Sequence, residues 1–156
     1  MKEIPLINTD MVALVNDEDY EEISKYDWNL TSNGYVRSYT PLFLHRFILK
    51  APRNLDVDHK NNNPLDNQRE NIRISTRSQN CANARKRRCA KSSKYKGVCW
   101  REYAHKWMAV ITVNRKFIYL GYFTSETAAA IAYDLAALKY FREFSKLNFP
   151  ERITIE

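Results

Sequence analysis

From Met11 to Val15 the chain is apolar at every position, and it then breaks at the acidic turn Asn16-Asp-Glu-Asp19. A short apolar run bounded by turn residues predicts a strand. Tyr20-Glu-Glu-Ile-Ser-Lys-Tyr26 has the spacing of a short helix, with Asp19 as its N-cap. Asn33-Gly34 lies between Trp28-Asn-Leu30 and Tyr35-Val-Arg-Ser-Tyr39, which predicts a hairpin. Leu42-Phe-Leu-His-Arg-Phe-Ile-Leu49 is apolar enough to be buried, and Pro52 closes it. Residues 4–50 thus read as short strands and turns.

Leu55–His59 reads as another strand. Lys60–Glu70 is dense in Asn, Asp and Pro, which favour turns over ladders. Asn61, Asn62, Asn63, Asp66 and Asn67 are therefore taken as turn formers. Asn71-Ile-Arg-Ile74 alternates polar and apolar, like a half-buried strand. Ser75 or Thr76 caps an expected helix over 77–87, with Asn80, Asn83 and Ala84 on one side and Arg85-Lys-Arg-Arg88 at its dipole's negative end.

Beyond a linker at 89–92, the pattern changes. Tyr95–Val98, Lys106–Val113 and Lys116–Phe123 predict three strands, the last two joined by a tight turn at Asn114-Arg115. Thr124-Ser-Glu126 starts a helix over 127–141 with alanines at spacings of three and four, small enough to lie close on a sheet. The fold class is α+β: a strand-rich N-terminal region, a strand–strand–helix unit at 55–88, and a three-stranded antiparallel sheet on one helix at 93–150. Residues 151–156 form a tail.

Charge sharpens this division. Residues 1–50 carry eight acids and five bases, whereas 51–156 carry ten acids and twenty bases. Nine Lys or Arg and no acid fall between 77 and 101. Such a run attracts phosphate by Coulomb force and counterion release. Cys81, Cys89 and Cys99 lack a Cys-x-x-Cys pair, so they are expected to be reduced thiols rather than a zinc site or disulfides. No run approaches the roughly 20 apolar residues of a membrane span, and the N-terminus lacks a secretory apolar core. A cytoplasmic protein without membrane attachment or a small-molecule cofactor is expected.

The chemistry concentrates at Asp58-His59, with Asn71 twelve residues after His59 and Asn80 nine further on. Hydrolysis of a phosphodiester needs an activated water and a cation to stabilise charge on the phosphate and leaving oxygen. His59 titrates near neutrality and can be the general base. Asp58 and Asn80 offer hard oxygen donors, suited to a cation that keeps waters and phosphate oxygens as its other ligands. Asn71, on the facing strand, can accept from one ring nitrogen of His59 and so orient it. Arg73 and Arg77 flank these residues as phosphate contacts or as solvated charges. His45, in its apolar run, reads as a packed histidine away from the cutting centre. Asp56 is left out of the site.

The stretch from Asp56-Val-Asp-His59 to Asn80 resembles the core of the HNH nucleases, the ββα-metal fold of many homing endonucleases. Leu44-His45-Arg46 resembles an element preceding such cores in phage-type proteins. The resemblance implies the same roles: Asp58 and Asn80 for the metal (Mg²⁺ or Mn²⁺), His59 as base and Asn71 as its orienter. Many members carry histidine where Asn80 stands, which bears on metal preference. Tyr95-Lys-Gly-Val98, Lys106-Trp107, Leu120-Gly-Tyr-Phe123, the alanine run ending at Asp134 and Leu147-Asn-Phe-Pro150 resemble, in that order, the plant ethylene-response-factor (apetala-type) DNA-binding domain. That resemblance implies duplex DNA as partner, with Lys96, Arg101, Lys106, Trp107, Arg115 and Lys116 at contact positions. Arg85, Lys86, Arg87 and Arg88 add basic charge before it. The plant arginine after Gly-Val is Cys99 here, and one residue is inserted before Lys106-Trp107. Together the features imply a monomeric, metal-dependent homing-type endonuclease that nicks DNA at sites chosen by residues 93–150. A non-catalytic DNA-binding regulator and an RNA-binding protein are the alternatives.

Overall fold

The computed structural model describes residues 1–40, 42–86 and 93–152. It divides into two compact units, Met1–Thr76 and Arg77–Glu156. The sequence placed the division at 89–92, but those residues lie outside the described ones, and helix α3 (Arg77–Asn83) groups with the second unit.

Among the described residues the first unit contains three antiparallel strand pairs: β1 (Lys2–Pro5) with β2 (Val12–Val15), β3 (Trp28–Leu30) with β4 (Val36–Ser38), and β5 (Asp56–His59) with β6 (Ile72–Ser75). The Asn33-Gly34 turn is formed as expected, with Gly34 at φ +82°. The helix α1 covers Asp17–Ile23, three residues earlier than the tyrosine spacing suggested. Asp19 therefore lies inside the helix, where its carboxylate takes the Arg69 guanidinium at 2.6 and 2.9 Å. Leu44–Leu49 forms a helix, α2, within the region read as strands and turns. Its Leu44 and Ile48, four apart, turn inward to the core of Ile4, Val15, Ile23, Trp28, Val36, Val57 and Ile72. Burial of this apolar face decides the short helix, and six residues are too few for a period to separate helix from strand.

The second unit is the sheet β7 (Val98–Arg101), β8 (Lys106–Val113) and β9 (Lys116–Phe123), packed on α4 (Glu126–Phe141). Asn114 and Arg115 both adopt positive φ, the turn that suits a tight hairpin's twist. Ser125 caps α4 by accepting from the Ala128 amide. Ala129, Ala130, Ala136 and Ala137 are buried, so backbone and sheet approach closely. Asp134, fully buried, accepts from the Asn148 and Phe149 amides at 2.9–3.0 Å. Asn148 in turn accepts from the Lys96 amide at 2.7 Å, which ties the chain's end to its sheet's start.

Helix α3 joins this unit through Ala82, which packs with Ile111, Tyr133, Phe141 and Phe144. It stops at Asn83 rather than at 87. The Lys96 ammonium reaches the carbonyls of Cys81, Ala82 and Ala84, where orphan acceptors and the helix dipole favour a cation.

Gly97 has φ +74°, and a Cβ there would sit 1.9 Å from the Tyr133 ring. Gly97→Ala should therefore lower the stability of the second unit by about 2–4 kcal/mol, combining left-handed strain with overpacking. Urea unfolding followed by β7–β9 amide exchange measures this, and an unchanged midpoint would contradict the close approach.

Candidate functional site

The site grows from the β5–β6 hairpin. Register places Asp58 opposite Arg73 and His59 opposite Ile72. Alternation sends these pairs to opposite faces. Ile72 and Val57 face the core, and so does His59, which is 6% exposed. On the other face Arg73 closes on Asp58 Oδ2, with Nε at 2.9 Å and Nη2 at 2.8 Å. Both partners are largely buried, and a guanidinium on a buried carboxylate fixes its orientation. Arg73, considered as a phosphate contact, is thus first of all the ion-pair partner of Asp58.

The connection from Lys60 to Asn71 is held by carboxamides. Asn71 Oδ1 accepts from the Asn61 amide at 3.0 Å, and its Nδ2 donates to the Asp66 carbonyl at 2.7 Å. Asn61 donates to Asp66 Oδ2 at 2.7 Å and accepts from the Asn63 amide at 2.8 Å. These are the turn roles expected of the Asn-rich run. Asn71 does not fill its expected place at the ring of His59, because both ends of its amide are committed to closing the turn.

Asn67 takes that place. It is fully buried, and its Oδ1 lies 3.4 Å from His59 Nε2. Its Nδ2 donates to the Pro64 carbonyl at 3.1 Å, which turns the oxygen toward the ring. Its backbone amide donates to Leu14 and anchors the loop on β2. Read as a turn former, Asn67 gave no separate signal in a segment where five of seven residues are Asn or Asp. Oδ1 as acceptor sets the proton on Nε2 and the lone pair on Nδ1. Burial lowers the His59 pKa, opposed by the Asn67 bond and the carboxylates of Asp58 and Asp66. A depressed value keeps the ring neutral near pH 7, with a lone pair that can accept a proton.

His45 was placed away from the centre, yet its ring stands 5.2 Å from that of His59, nearly perpendicular. Phe43 stacks on it at 5.6 Å, and Tyr35 meets both imidazoles. Beside it, Arg46 donates to the carbonyls of Leu55, Ala51 and Pro52, which fixes the approach to β5. A histidine and an arginine inside an apolar run were the available signal.

Asn80, half-buried, and Arg77, exposed, are carried by α3 of the second unit. The Asp58 carboxylate of the first unit is a hard oxygen donor, of the kind that suits Mg²⁺ or Mn²⁺ rather than zinc. Among the described residues there is no cluster of three or more His, Cys, Asp or Glu able to hold a metal.

Several expected DNA contacts are engaged elsewhere. The Lys96 ammonium caps α3, and Lys86 Nζ donates to the Ser93 and Tyr95 carbonyls at 2.6 Å. Burial lowers the Lys96 pKa to about 8, against the carbonyls that hold its charge. Trp107 packs with Val98 and Ala109 on the helix side of the sheet. Arg85, Arg101, Lys106, Arg115 and Lys116 are exposed. Arg87 and Arg88 lie outside the described residues.

A family model described as HNH endonuclease matches residues 50–82. A protein of Acanthamoeba polyphaga mimivirus, named as an uncharacterized HNH endonuclease, is 33% identical over 145 residues, covering 87% of this chain and 74% of its own length. The chain belongs to the HNH endonuclease family. The matched segment contains β5, β6 and most of α3, so the family stretch coincides with the hairpin just described. An ethylene-responsive transcription factor of Arabidopsis thaliana is 42% identical over 62 residues, 38% of this HNH chain and 34% of that protein. An AP2-like ethylene-responsive factor of the same plant is 44% identical over 70 residues, 23% of its length. The chain thus spans about a third or less of these plant relatives, in keeping with its C-terminal DNA-binding-type domain.

Burial holds the His45 imidazole down to about 3, against its ordinary 6.5, with His59 and Arg46 acting in the same direction. Between those values the unfolded chain binds a proton that the folded chain refuses. Stability should therefore fall as pH drops below about 6.5, by about 2 kcal/mol at pH 5. Exchange of β1–β6 amides at pH 7 and 5 measures this. His45→Leu should flatten the dependence, and an equal acid loss in that variant would contradict the assignment.

Proposed function

We propose that this HNH-family protein is a site-specific, homing-type DNA endonuclease that hydrolyses phosphodiester bonds with a divalent cation. One site per chain acts as a monomer and nicks one strand. Residues 93–150 select the target, and the basic run from 77 supplies further attraction for the duplex.

The observation that carries this reading is the buried imidazole of His59 bonded to Asn67, on the same hairpin as the Asp58–Arg73 pair. His59 Nδ1 takes a proton from the attacking water, while Asn67 accepts from Nε2–H and steadies the imidazolium that forms. Arg73 fixes the carboxylate of Asp58 and limits its charge before substrate arrives. Asp58 and Asn80 are the proposed ligands of Mg²⁺ or Mn²⁺. Bound there, the cation supplies Lewis-acid stabilisation of charge on the phosphate and the departing 3′ oxygen. Asn71 acts through the loop it closes, which keeps Asn67 beside the ring.

His59→Ala should slow nicking of duplex DNA in Mg²⁺ at least about 100-fold while duplex affinity stays unchanged. Agarose separation of nicked from supercoiled plasmid and a filter-binding assay read the two quantities. Undiminished cutting by this variant overturns the role of His59. Absence of any chelator-sensitive cutting by the unaltered chain, in Mg²⁺ or Mn²⁺, favours a non-catalytic DNA-binding regulator.

A further inference from the structure

The Asp58 carboxylate already serves another group. Arg73 Nε and Nη2 both donate to its Oδ2, at 2.9 and 2.8 Å. The aspartate side chain is 4% exposed and that of the arginine 14%, so little water screens the pair. Register sets the two residues directly opposite each other on β5 and β6, so the hairpin itself builds the contact.

A cation such as Mg²⁺ would lie about 2.0–2.1 Å from a carboxylate oxygen that it shares. On Oδ2 it would stand within about 5 Å of the guanidinium, in a poorly hydrated place where like charges repel strongly. The oxygen therefore cannot hold both. A displaced guanidinium is in turn costly to leave buried without an anion. A backbone phosphate is such an anion, and its oxygens match the planar fork of arginine. Asp58 occupies that fork until DNA brings the replacement.

We propose that Arg73 is a latch on the metal-ligand carboxylate: it holds Asp58 Oδ2 in the DNA-free chain and passes to a backbone phosphate as the cation takes its place. The cation and DNA then bind cooperatively, each raising the affinity for the other, and the free chain holds the cation weakly. The latch rests on the reading of Asp58 as a metal ligand, and it adds to that reading an order of events and a second task for Arg73.

Mn²⁺ binding to the full chain without DNA, followed by electron paramagnetic resonance of the free ion, tests the latch, with nicking of supercoiled plasmid in Mg²⁺ measured alongside. Arg73→Gln keeps a donor for Asp58 and removes the charge. It should bind Mn²⁺ about tenfold tighter or more, yet nick about tenfold more slowly or worse. An arginine that merely braced the hairpin would on removal weaken both. Arg73→Lys, which keeps the charge, should bind Mn²⁺ as weakly as the unaltered chain. Asp58→Asn should abolish the binding gained in Arg73→Gln. Binding in Arg73→Gln that is unchanged or weaker, with Asp58→Asn still abolishing it, overturns the latch and leaves the ligand assignment standing. Binding that survives Asp58→Asn overturns the ligand assignment and the latch with it. The unaltered chain gives a reading independent of any variant's folding. Its Arg73 Nε–H resonance should shift when Mg²⁺ and an uncleavable phosphorothioate duplex are added together, and a resonance that stays in place overturns the latch.

Discussion

A carboxamide bonded at both ends governs the candidate site. Asn71 grips the Asn61 amide with its oxygen and the Asp66 carbonyl with its nitrogen, so that the connection between β5 and β6 closes in one conformation. Each bond contributes only about 1 kcal/mol. Their consequence is positional, because Asn67 follows Asp66 directly and its buried oxygen arrives at the His59 ring. The remaining contacts of Asn67, to Pro64 and Leu14, would be hard to keep with the turn open. A flexible loop of this composition would leave the imidazole to rotate and to pick up protons from solvent.

The same hairpin separates two kinds of electrostatics. His59 shares the core-facing side with Val57 and Ile72, where desolvation favours the neutral ring. Asp58 occupies the other side, where Arg73 compensates its charge. Neighbours in sequence thus enter the two unlike environments that base and ligand require, and strand alternation alone accomplishes it. His45, Phe43 and Tyr35 add an aromatic wall that keeps water from the back of the base.

Much of this was legible in the sequence, in proportion to how local the cause was. Asn33-Gly34 and Asn114-Arg115 announce their turns because the conformation is set by the residues themselves. The Asp58-His59 strand and its partner appear through alternation. Helix α2 escaped notice because six residues are too short for a period to choose helix over strand, and burial of Leu44 and Ile48 makes the choice. The partner of His59 escaped for another reason. Asn67 and Asn71 are chemically identical, and spacing favours the residue on the facing strand. Which amide reaches the ring is decided by a loop fold that no pairwise spacing encodes. Lys86 and Lys96 mislead in the same way: a basic run looks like a phosphate surface until two of its ammonium groups are found on backbone carbonyls.

The nuclease reading rests on a neutral His59 whose Nε2–H is given to Asn67, leaving Nδ1 as the base. Nitrogen-15 NMR of the histidine rings at pH 7 reports this directly. The account predicts a neutral His59 with its proton on Nε2, and loss of that single tautomer in Asn67→Ala. A ring protonated on Nδ1 alone, or an imidazolium at that pH, would contradict it.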